Sequence, residues 1–299
     1  MKKCVSMAKV GARTDIPVLI LGETGVGKTL LARAIHNSSK RARHQFVSFN
    51  SAALSDTLLD SQLFGHERGA FTGADRTVRG KFEVADGGTL FLDEIADMAP
   101  NGQAKILRAV EYGEYQRLGS ETIRQADVRL VSATHWPIRK FIEADQFRKD
   151  LFYRLGGIVI TIPPLRQRPS DLKALLAAEI ALAAQEQEKE IQGLARSAAD
   201  KLLEYSWPGN LRELKRAIEL AVAITEGSII ETDAILLEPL EAPPAPPGAA
   251  ASEVDGDLSL TNAEQRHVTY VYERMGKNKR RTARALGISR TTLDRKLAE

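Results

Sequence analysis

Cysteine is almost missing from this sequence: Cys4 stands alone among 299 residues. One thiol can form neither an intramolecular disulfide framework nor a thiolate cluster for zinc. Missing too is any apolar run near the roughly 20 residues a membrane span needs. The start, Met1-Lys2-Lys3-Cys4-Val5-Ser6-Met7, is basic, but no sustained apolar stretch or cleavage site follows, so no signal peptide is read. The five histidines (His36, His44, His66, His135, His267) are scattered without metal-ligand spacing. A cytoplasmic protein with no membrane partner is the expectation.

What is present fits a globular protein. The chain is 43% hydrophobic and 27% charged, and long enough for two or three domains. A net charge of +3 is ordinary, but its distribution is not. From Gly276 onward come Lys277, Lys279, Arg280, Arg281, Arg284, Arg290, Arg295 and Lys296, opposed only by Asp294 and Glu299. Such a segment attracts polyanions, nucleic acid first.

Composition marks one boundary. The run from Glu238 to Gly248 is dense in proline and continues into alanines and an acidic stretch. Proline at that density prevents helix and keeps chain extended, so residues 238–257 read as a linker. Ahead of it, Val18–Leu21, Phe46–Phe49, Thr89–Leu92, Val128–Val131 and Ile158–Thr161 read as buried strands. Helical segments such as Leu30–Ser38 and Gln103–Glu111 lie between some of them. The alternation predicts a mostly parallel α/β sheet over residues 1–165. From Ser170 to Glu226 the pattern is helical only, which predicts an all-α subdomain within 166–237.

The segment Gly22-Glu23-Thr24-Gly25-Val26-Gly27-Lys28-Thr29 fits the P-loop pattern, between a strand and a helix as the motif requires. Backbone N–H groups and the helix N-terminus there hold phosphates. Lys28 reaches the β/γ-phosphates of ATP, and Thr29 can ligate Mg²⁺. The run Thr89-Leu90-Phe91-Leu92-Asp93-Glu94 brings two carboxylates to the end of a buried strand, where α/β sheets place ligands. Asp93 suits the Mg²⁺ shell, and Glu94 suits orienting or deprotonating the attacking water. Together these predict an ATPase.

One stretch stands apart. Gly69-Ala70-Phe71-Thr72-Gly73-Ala74 sets an aromatic ring and a hydroxyl among small residues. Alone it reads either as an ordinary Gly-rich hairpin or as a movable tip projecting Phe71 and Thr72.

With these motifs in order, the chain resembles the AAA+ core of bacterial enhancer-binding proteins, the activators of sigma-54 RNA polymerase. The resemblance runs from about Pro17 to Leu237, and its most specific part is Leu63-Phe64-Gly65-His66-Glu67-Arg68 leading into Gly69–Ala74. It implies that the hexapeptide is the loop touching sigma-54, with Phe71 and Thr72 as contacts. It implies further that Asn50 is a switch residue pairing with Glu94, and Thr134 a phosphate sensor. Many family members have asparagine where this chain has His135. Arg148 and Arg154, within Phe147–Leu155, match the segment that offers arginines to a neighbouring subunit's ATP, which a guanidinium suits; Arg154 is favoured. Local pairing with Asp150 is the other reading for either arginine.

Trp207-Pro208-Gly209-Asn210-Leu211-Arg212-Glu213-Leu214 resembles the second sensor, with Arg212 facing phosphate from near a helix start. Asn210 is expected to cap that helix, with Glu213 as the capping-box acid. Leu211, Leu214, Ile218, Ala221 and Val222 form its core-facing stripe. Position 29 is threonine where many members have glutamate, which leaves nucleotide binding intact.

Residues 258–299 resemble a Fis-type helix-turn-helix. Ala283, Leu286, Ile288 and Leu293 supply a small core, Gly287 the break, and Ser289 a cap. An earlier helix from about Thr261 to Met275 completes the module. Ser289, Arg290, Thr291, Thr292, Arg295 and Lys296 then face double-stranded enhancer DNA, bound by paired modules. The resemblance implies a ring, a hexamer in this family, that spends ATP to open the sigma-54 closed complex. The alternative is a DNA-binding repressor whose core is a nucleotide-responsive scaffold. The P-loop starts so early that no receiver or sensory domain precedes it in this sequence. The family usually carries more there, so a truncated start, control in trans and constitutive activity all stay open.

Overall fold

Five short strands build one parallel sheet, and the burial of each tells where it sits. The computed structural model describes residues 1–52, 55–237, 268, 271, 272 and 278–298. Helix α1 (Lys2–Arg13) precedes β1 (Val18–Leu21), the P-loop and α2 (Lys28–Asn37). Next come β2 (Phe46–Asn50), α3 (Asp56–Phe64), the short antiparallel pair β3 (Gly65–His66) and β4 (Val78–Arg79), α4 (Lys81–Val84) and β5 (Thr89–Asp93). Helix α5 (Pro100–Tyr112) leads to a second short antiparallel pair, β6 (Glu114–Tyr115) and β7 (Arg124–Gln125). Then follow β8 (Arg129–Thr134), α6 (Ile138–Glu143), α7 (Lys149–Leu155) and β9 (Ile158–Thr161).

The sheet order is β2-β5-β8-β1-β9, with every neighbouring pair parallel. Central β8 is buried along its whole length, and β5 along all but its last residue. Edge strand β9 instead alternates, with Ile158 and Ile160 in and Val159 and Thr161 out. That contrast follows from cover: central strands of a parallel sheet are sandwiched between helices, whereas an edge has one open side.

Strand periodicity of two divides the sheet into two cores. Leu19, Leu90, Leu92 and Leu130 pack on one face with α3, α5 and α7. Val18, Ile20, Phe91, Val131 and Ala133 pack on the other with α1 and α2. A one-residue slip would exchange the two sets, so register is fixed by both faces at once. Leu92 is fully buried, and Leu92→Ala would cost about 2–5 kcal/mol.

Helices α8 (Pro169–Glu186), α9 (Arg196–Glu204) and α10 (Asn210–Ile224) form the helical part. Their core gathers Leu172, Leu176, Leu202, Leu214, Ile218 and Val222 around the buried Trp207, whose indole N–H donates to Leu202 O at 3.0 Å. Leu214, Ile218, Ala221 and Val222 of the expected stripe are buried, and Leu211 is half-buried. No helix among the described residues is long and apolar enough to cross a membrane.

The chain divides into two compact units, Met1–Leu237 and Glu238–Glu299. In the second, helices Lys279–Leu286 and Arg290–Ala298 flank Gly287, whose φ of 66° suits glycine. Ala283, Leu293 and Val268 form its core, with Leu286, Ile288 and Leu297 against them. The linker expected at 238–257 lies outside the described residues. So does the helix expected from Thr261 to Met275, except at residues 268, 271 and 272.

Candidate nucleotide site

Four strand ends converge on one edge of the sheet. β1 runs into the P-loop, β5 ends at Asp93, β8 at Thr134 and β2 at Asn50, which pairs in register with Asp93. Helix α2 begins at Lys28, so its free N–H groups point into the same space. A cleft of about 260 Å³ results, lined by Thr24, Gly25, Gly27, Lys28, Thr29, Asp93, Glu94 and Arg212. Glu179 of α8 and Lys215 of α10 line it too, and neither was expected from sequence. The available signal for Lys215 was its position three residues after Arg212, on the same helix face.

Lys28 is almost fully buried, with Nζ donating to Gly22 O at 3.0 Å and Glu23 O at 3.4 Å. Asp93 Oδ1 accepts from Glu94 N at 3.1 Å. Burial pushes the Asp93 carboxyl above its usual range, and the Glu94 charge adds to this; Lys28, the Glu94 N–H and Arg212 oppose. Burial would also raise Glu94, but hydrogen bonds from the His135 side chain and backbone, together with Lys28, hold it below its usual range. Two neighbouring carboxylates thus differ in the direction of their shifts, because burial outweighs the single backbone donor on Asp93 whereas two His135 donors and Lys28 outweigh it on Glu94. Thr29 and Asp93 face one cleft beside a cationic lysine, a donor set of oxygens that fits Mg²⁺ with a nucleotide phosphate.

Gly25 shows how closely the helical part approaches. Its φ is 79°, and an added Cβ would meet Gly209 O at 2.2 Å. Leu211 N donates to Gly25 O at 2.9 Å. Glu23 accepts from Arg166 Nη1 at 2.8 Å. Arg168, buried, reaches Val26 O at 3.3 Å.

Several expected pairings fall differently. Asn50 does not hold Glu94: its Oδ1 accepts from Ala52 N at 2.9 Å, closing a local turn. Glu94 is instead held by His135, through Nδ1 at 2.7 Å and the backbone N–H at 3.1 Å. Thr134 is fully buried, and its Oγ1 accepts from Trp136 N at 3.1 Å. Asn210 is the first residue of α10 rather than its cap, which is Gly209. Glu213 still performs the capping-box task, accepting from Gly209 N at 2.7 Å. Asn210 is buried with φ 53°, and its side chain crosses to the P-loop. Nδ2 donates to Thr24 O at 3.1 Å and Glu23 Oε2 at 3.2 Å, while Oδ1 accepts from Leu165 N at 2.8 Å.

Among the two arginines, Arg148 is paired locally with Asp150, through Nε at 3.1 Å and Nη2 at 2.7 Å. Exposed Arg154 makes one contact, to Glu111 O at 3.2 Å. The histidines, scattered in sequence, include one that gathers acids: ligand atoms of Glu94, Asp97 and His135 lie within 4.8 Å of one another.

The hexapeptide lies between β3 and β4. Gly69 N donates to Ala74 O at 2.8 Å and Ala74 N to Phe71 O at 3.0 Å, making a closed tip. Thr72 points to solvent. Phe71 does not project: it is half-buried, its ring edge-on to His66 at 5.0 Å. The apolar ring finds a surface nearby, while the hydroxyl side chain is exposed. Beneath it, Arg117 bridges Glu67 and Glu83 at 2.8 and 2.7 Å, an ion-pair cluster that sequence reading did not find.

In the second unit, Ser289 Oγ accepts from Thr292 N at 3.0 Å, so the expected cap is present. The hydroxyl also bonds those of Thr291 and Thr292. Arg290, Thr291 and Arg295 are exposed, while Thr292 and Lys296 are half-buried.

Comparison with known proteins agrees with this geometry. The family model of the sigma-54 interaction domain matches residues 1–161, more than half of the chain. The AAA+ ATPase lid domain matches 166–251, and the Fis family of bacterial regulatory proteins matches 259–299. Transcriptional regulatory protein ZraR of Klebsiella oxytoca is 44% identical over 298 residues, covering 100% of this chain and 67% of ZraR. The Nif-specific regulatory protein of Klebsiella pneumoniae is 40% identical over 289 residues, covering 97% of this chain and 55% of its own. The chain thus spans about two thirds or less of these relatives. The crystal structure of NtrX from Brucella abortus in complex with ATP has a TM-score of 0.71 at 30% identity, over 100% of this chain and 67% of NtrX. The chain belongs to the family of sigma-54-dependent transcriptional regulators, with an AAA+ P-loop core, an AAA+ lid and a Fis-type helix-turn-helix.

Proposed function

We propose that this protein is a cytoplasmic, ATP-driven activator that remodels the sigma-54 RNA polymerase closed complex into an open one. The observation that carries this is the convergence of Lys28, Asp93, Glu94 and Arg212 on one cleft lined by both core and lid. Residues 1–165 are the ATPase core and 166–237 the lid; 238–257 link them to a DNA-binding module at 258–299.

The P-loop from Gly22 to Thr29 holds the phosphates, with Lys28 as the cation reaching the outermost of them. Thr29 and Asp93 hold Mg²⁺, which neutralises the charge on the phosphates when bound. Glu94 orients the attacking water; a carboxylate held below its usual range is a weak proton acceptor, which favours orienting over deprotonating. Thr134 and Arg212 sense the phosphate from β8 and α10. Asn50, in register with Asp93, is the switch residue for Glu94 once its bond to Ala52 is released. Arg154 serves the neighbouring subunit's ATP in a ring, a hexamer, with Arg148 as the lesser contributor. Gly69–Ala74 is the output: Thr72, exposed, meets sigma-54 first, and Phe71 follows on leaving His66. Paired tails place Ser289, Arg290, Thr291, Thr292, Arg295 and Lys296 against enhancer DNA.

Transcription in vitro from a sigma-54 promoter tests the reading. Wild-type protein gives ATP-dependent open complexes, whereas Thr72→Ala and Asp93→Asn lose them and keep DNA binding. Full activation by Thr72→Ala, or no ATP-dependent open complex with wild type, overturns it.

A further inference from the structure

Glu94 is engaged on both of its oxygens. Oε2 accepts two hydrogen bonds from one residue, His135 N at 3.1 Å and His135 Nδ1 at 2.7 Å. Those two donors fill both lone pairs of that oxygen. Oε1 is ion-paired with Lys28 Nζ at 3.6 Å. Glu94 itself sits at φ 54°, a left-handed conformation uncommon for glutamate, so the backbone aims the side chain along a defined path.

His135 is itself held in place. Its ring lies against Trp136 with centroids 4.5 Å apart. The Trp136 indole N–H donates to Asp97 Oδ1 at 2.6 Å, and its backbone N–H donates to Thr134 Oγ1 at 3.1 Å. The end of β8 and the turn after β5 therefore grip one another through side chains on either side of Glu94. The ring donates only in the tautomer with its proton on Nδ1. Asn50, at the neighbouring strand end, is occupied with Ala52 and makes no such contact.

We infer that His135 is a positioning residue that restrains Glu94, keeping Oε2 from the attacking water until the Nδ1 bond breaks. The inference rests on the proposed ATPase reading and deepens it. A residue that orients or deprotonates water needs an uncommitted lone pair aimed at the water's proton. Breaking the ring bond frees one lone pair on Oε2 and removes a donor that weakens the carboxylate as an acceptor. The backbone N–H then remains as a pivot. Hydrolysis in this chain is thereby tied to movement between the ends of β5 and β8.

Two substitutions separate the donor from the bulk of the ring. In His135→Asn the amide nitrogen can occupy the place of Nδ1; in His135→Gln the amide reaches the place of Nε2, and the Nδ1 donor is lost. Steady-state ATP hydrolysis by the full chain gives kcat and KM, and binding of a fluorescent ADP reports the intact fold. His135→Gln should raise kcat about threefold to tenfold, the size expected of one hydrogen bond, at unchanged KM and ADP affinity. His135→Asn should stay within about twofold of wild type, the same bond being kept. A His135→Gln kcat at or below wild type, or equal behaviour of the two variants, overturns the inference and leaves the ATPase reading standing. Wild-type protein that hydrolyses no ATP overturns both.

Discussion

The side-chain amide of lid residue Asn210 donates to the carbonyl oxygen of P-loop residue Thr24 at 3.1 Å, 186 positions away in sequence. The same side chain accepts from Leu165 N, so one buried residue ties P-loop, connecting segment and lid. Asn210→Ala leaves the buried Leu165 N–H without a partner, at about 1–3 kcal/mol, and releases the Thr24 carbonyl. The melting temperature should fall by about 4–10 °C, and ADP affinity should weaken with it. Calorimetry with and without ADP checks both. A shift below about 1 °C would show that the bracket contributes nothing.

Asn210 also shows where sequence reading stops. Strands Val18–Leu21 and Ile158–Thr161 were legible to the residue because their signal is local: an apolar run bounded by breakers. The P-loop, Asp93 and Arg212 were legible because each motif carries its own chemistry. Asn210, after Pro208-Gly209, looked like a cap, since a local helix start is all that neighbouring residues reveal. Its partners come from segments far away in the chain. His135 and Arg117 were missed for the same reason. For Phe71 an ordinary hairpin and a projecting tip both stood open, and nothing within Gly69–Ala74 could disclose His66 as its packing surface.

Arg117 should control the order of the hexapeptide loop. It is buried, and it joins Glu67, just before the loop, to Glu83 in α4. Arg117→Ala should speed hydrogen exchange across residues 65–79 and abolish open-complex formation, while ATP hydrolysis persists. Unchanged exchange in that segment would sink the idea.

The same cluster gives a pH dependence. Hydrogen bonds from Thr77 and then Arg117 hold Glu67 below the usual range. Burial alone would raise Glu83, but Arg117 and Arg79 bring it down. Carboxyls lowered by folding contribute stability that is fully present above their ordinary value of about 4.3, and lost as pH falls below it. Loop protection should therefore decline on acidification below about pH 4 and be flat from pH 5 to 8. Hydrogen exchange corrected for intrinsic rate checks this, and Arg117→Ala should remove the acid dependence.

In the second unit, Arg290 and Arg295 flank the start and middle of the helix Arg290–Ala298, both exposed. If each meets a phosphate, Arg295→Ala should weaken binding evenly across DNA sequences. The slope of log affinity against log salt should fall by about 1 per module. Fluorescence anisotropy over a salt series measures it. An unchanged slope removes Arg295 from the phosphate contacts.

Arg154 and Arg148 differ in what they would have to give up to reach a neighbouring subunit. Arg148 would break two hydrogen bonds to the Asp150 carboxylate, whereas Arg154 would leave a single carbonyl at 3.2 Å. A guanidinium acting in trans on a transferring phosphoryl group contributes about 10³–10⁵ to kcat. Arg154→Ala should therefore lower kcat by at least about a thousandfold while ADP affinity per subunit holds. Arg148→Ala should cost less, because its charge is already compensated within its own chain. Mixed assemblies make the test specific. Arg154→Ala subunits supply intact P-loops and Asp93→Asn subunits supply intact arginines, so mixing two inactive variants should restore partial hydrolysis. No recovery in the mixture, with both variants assembled, would show that Arg154 does not act across the subunit boundary.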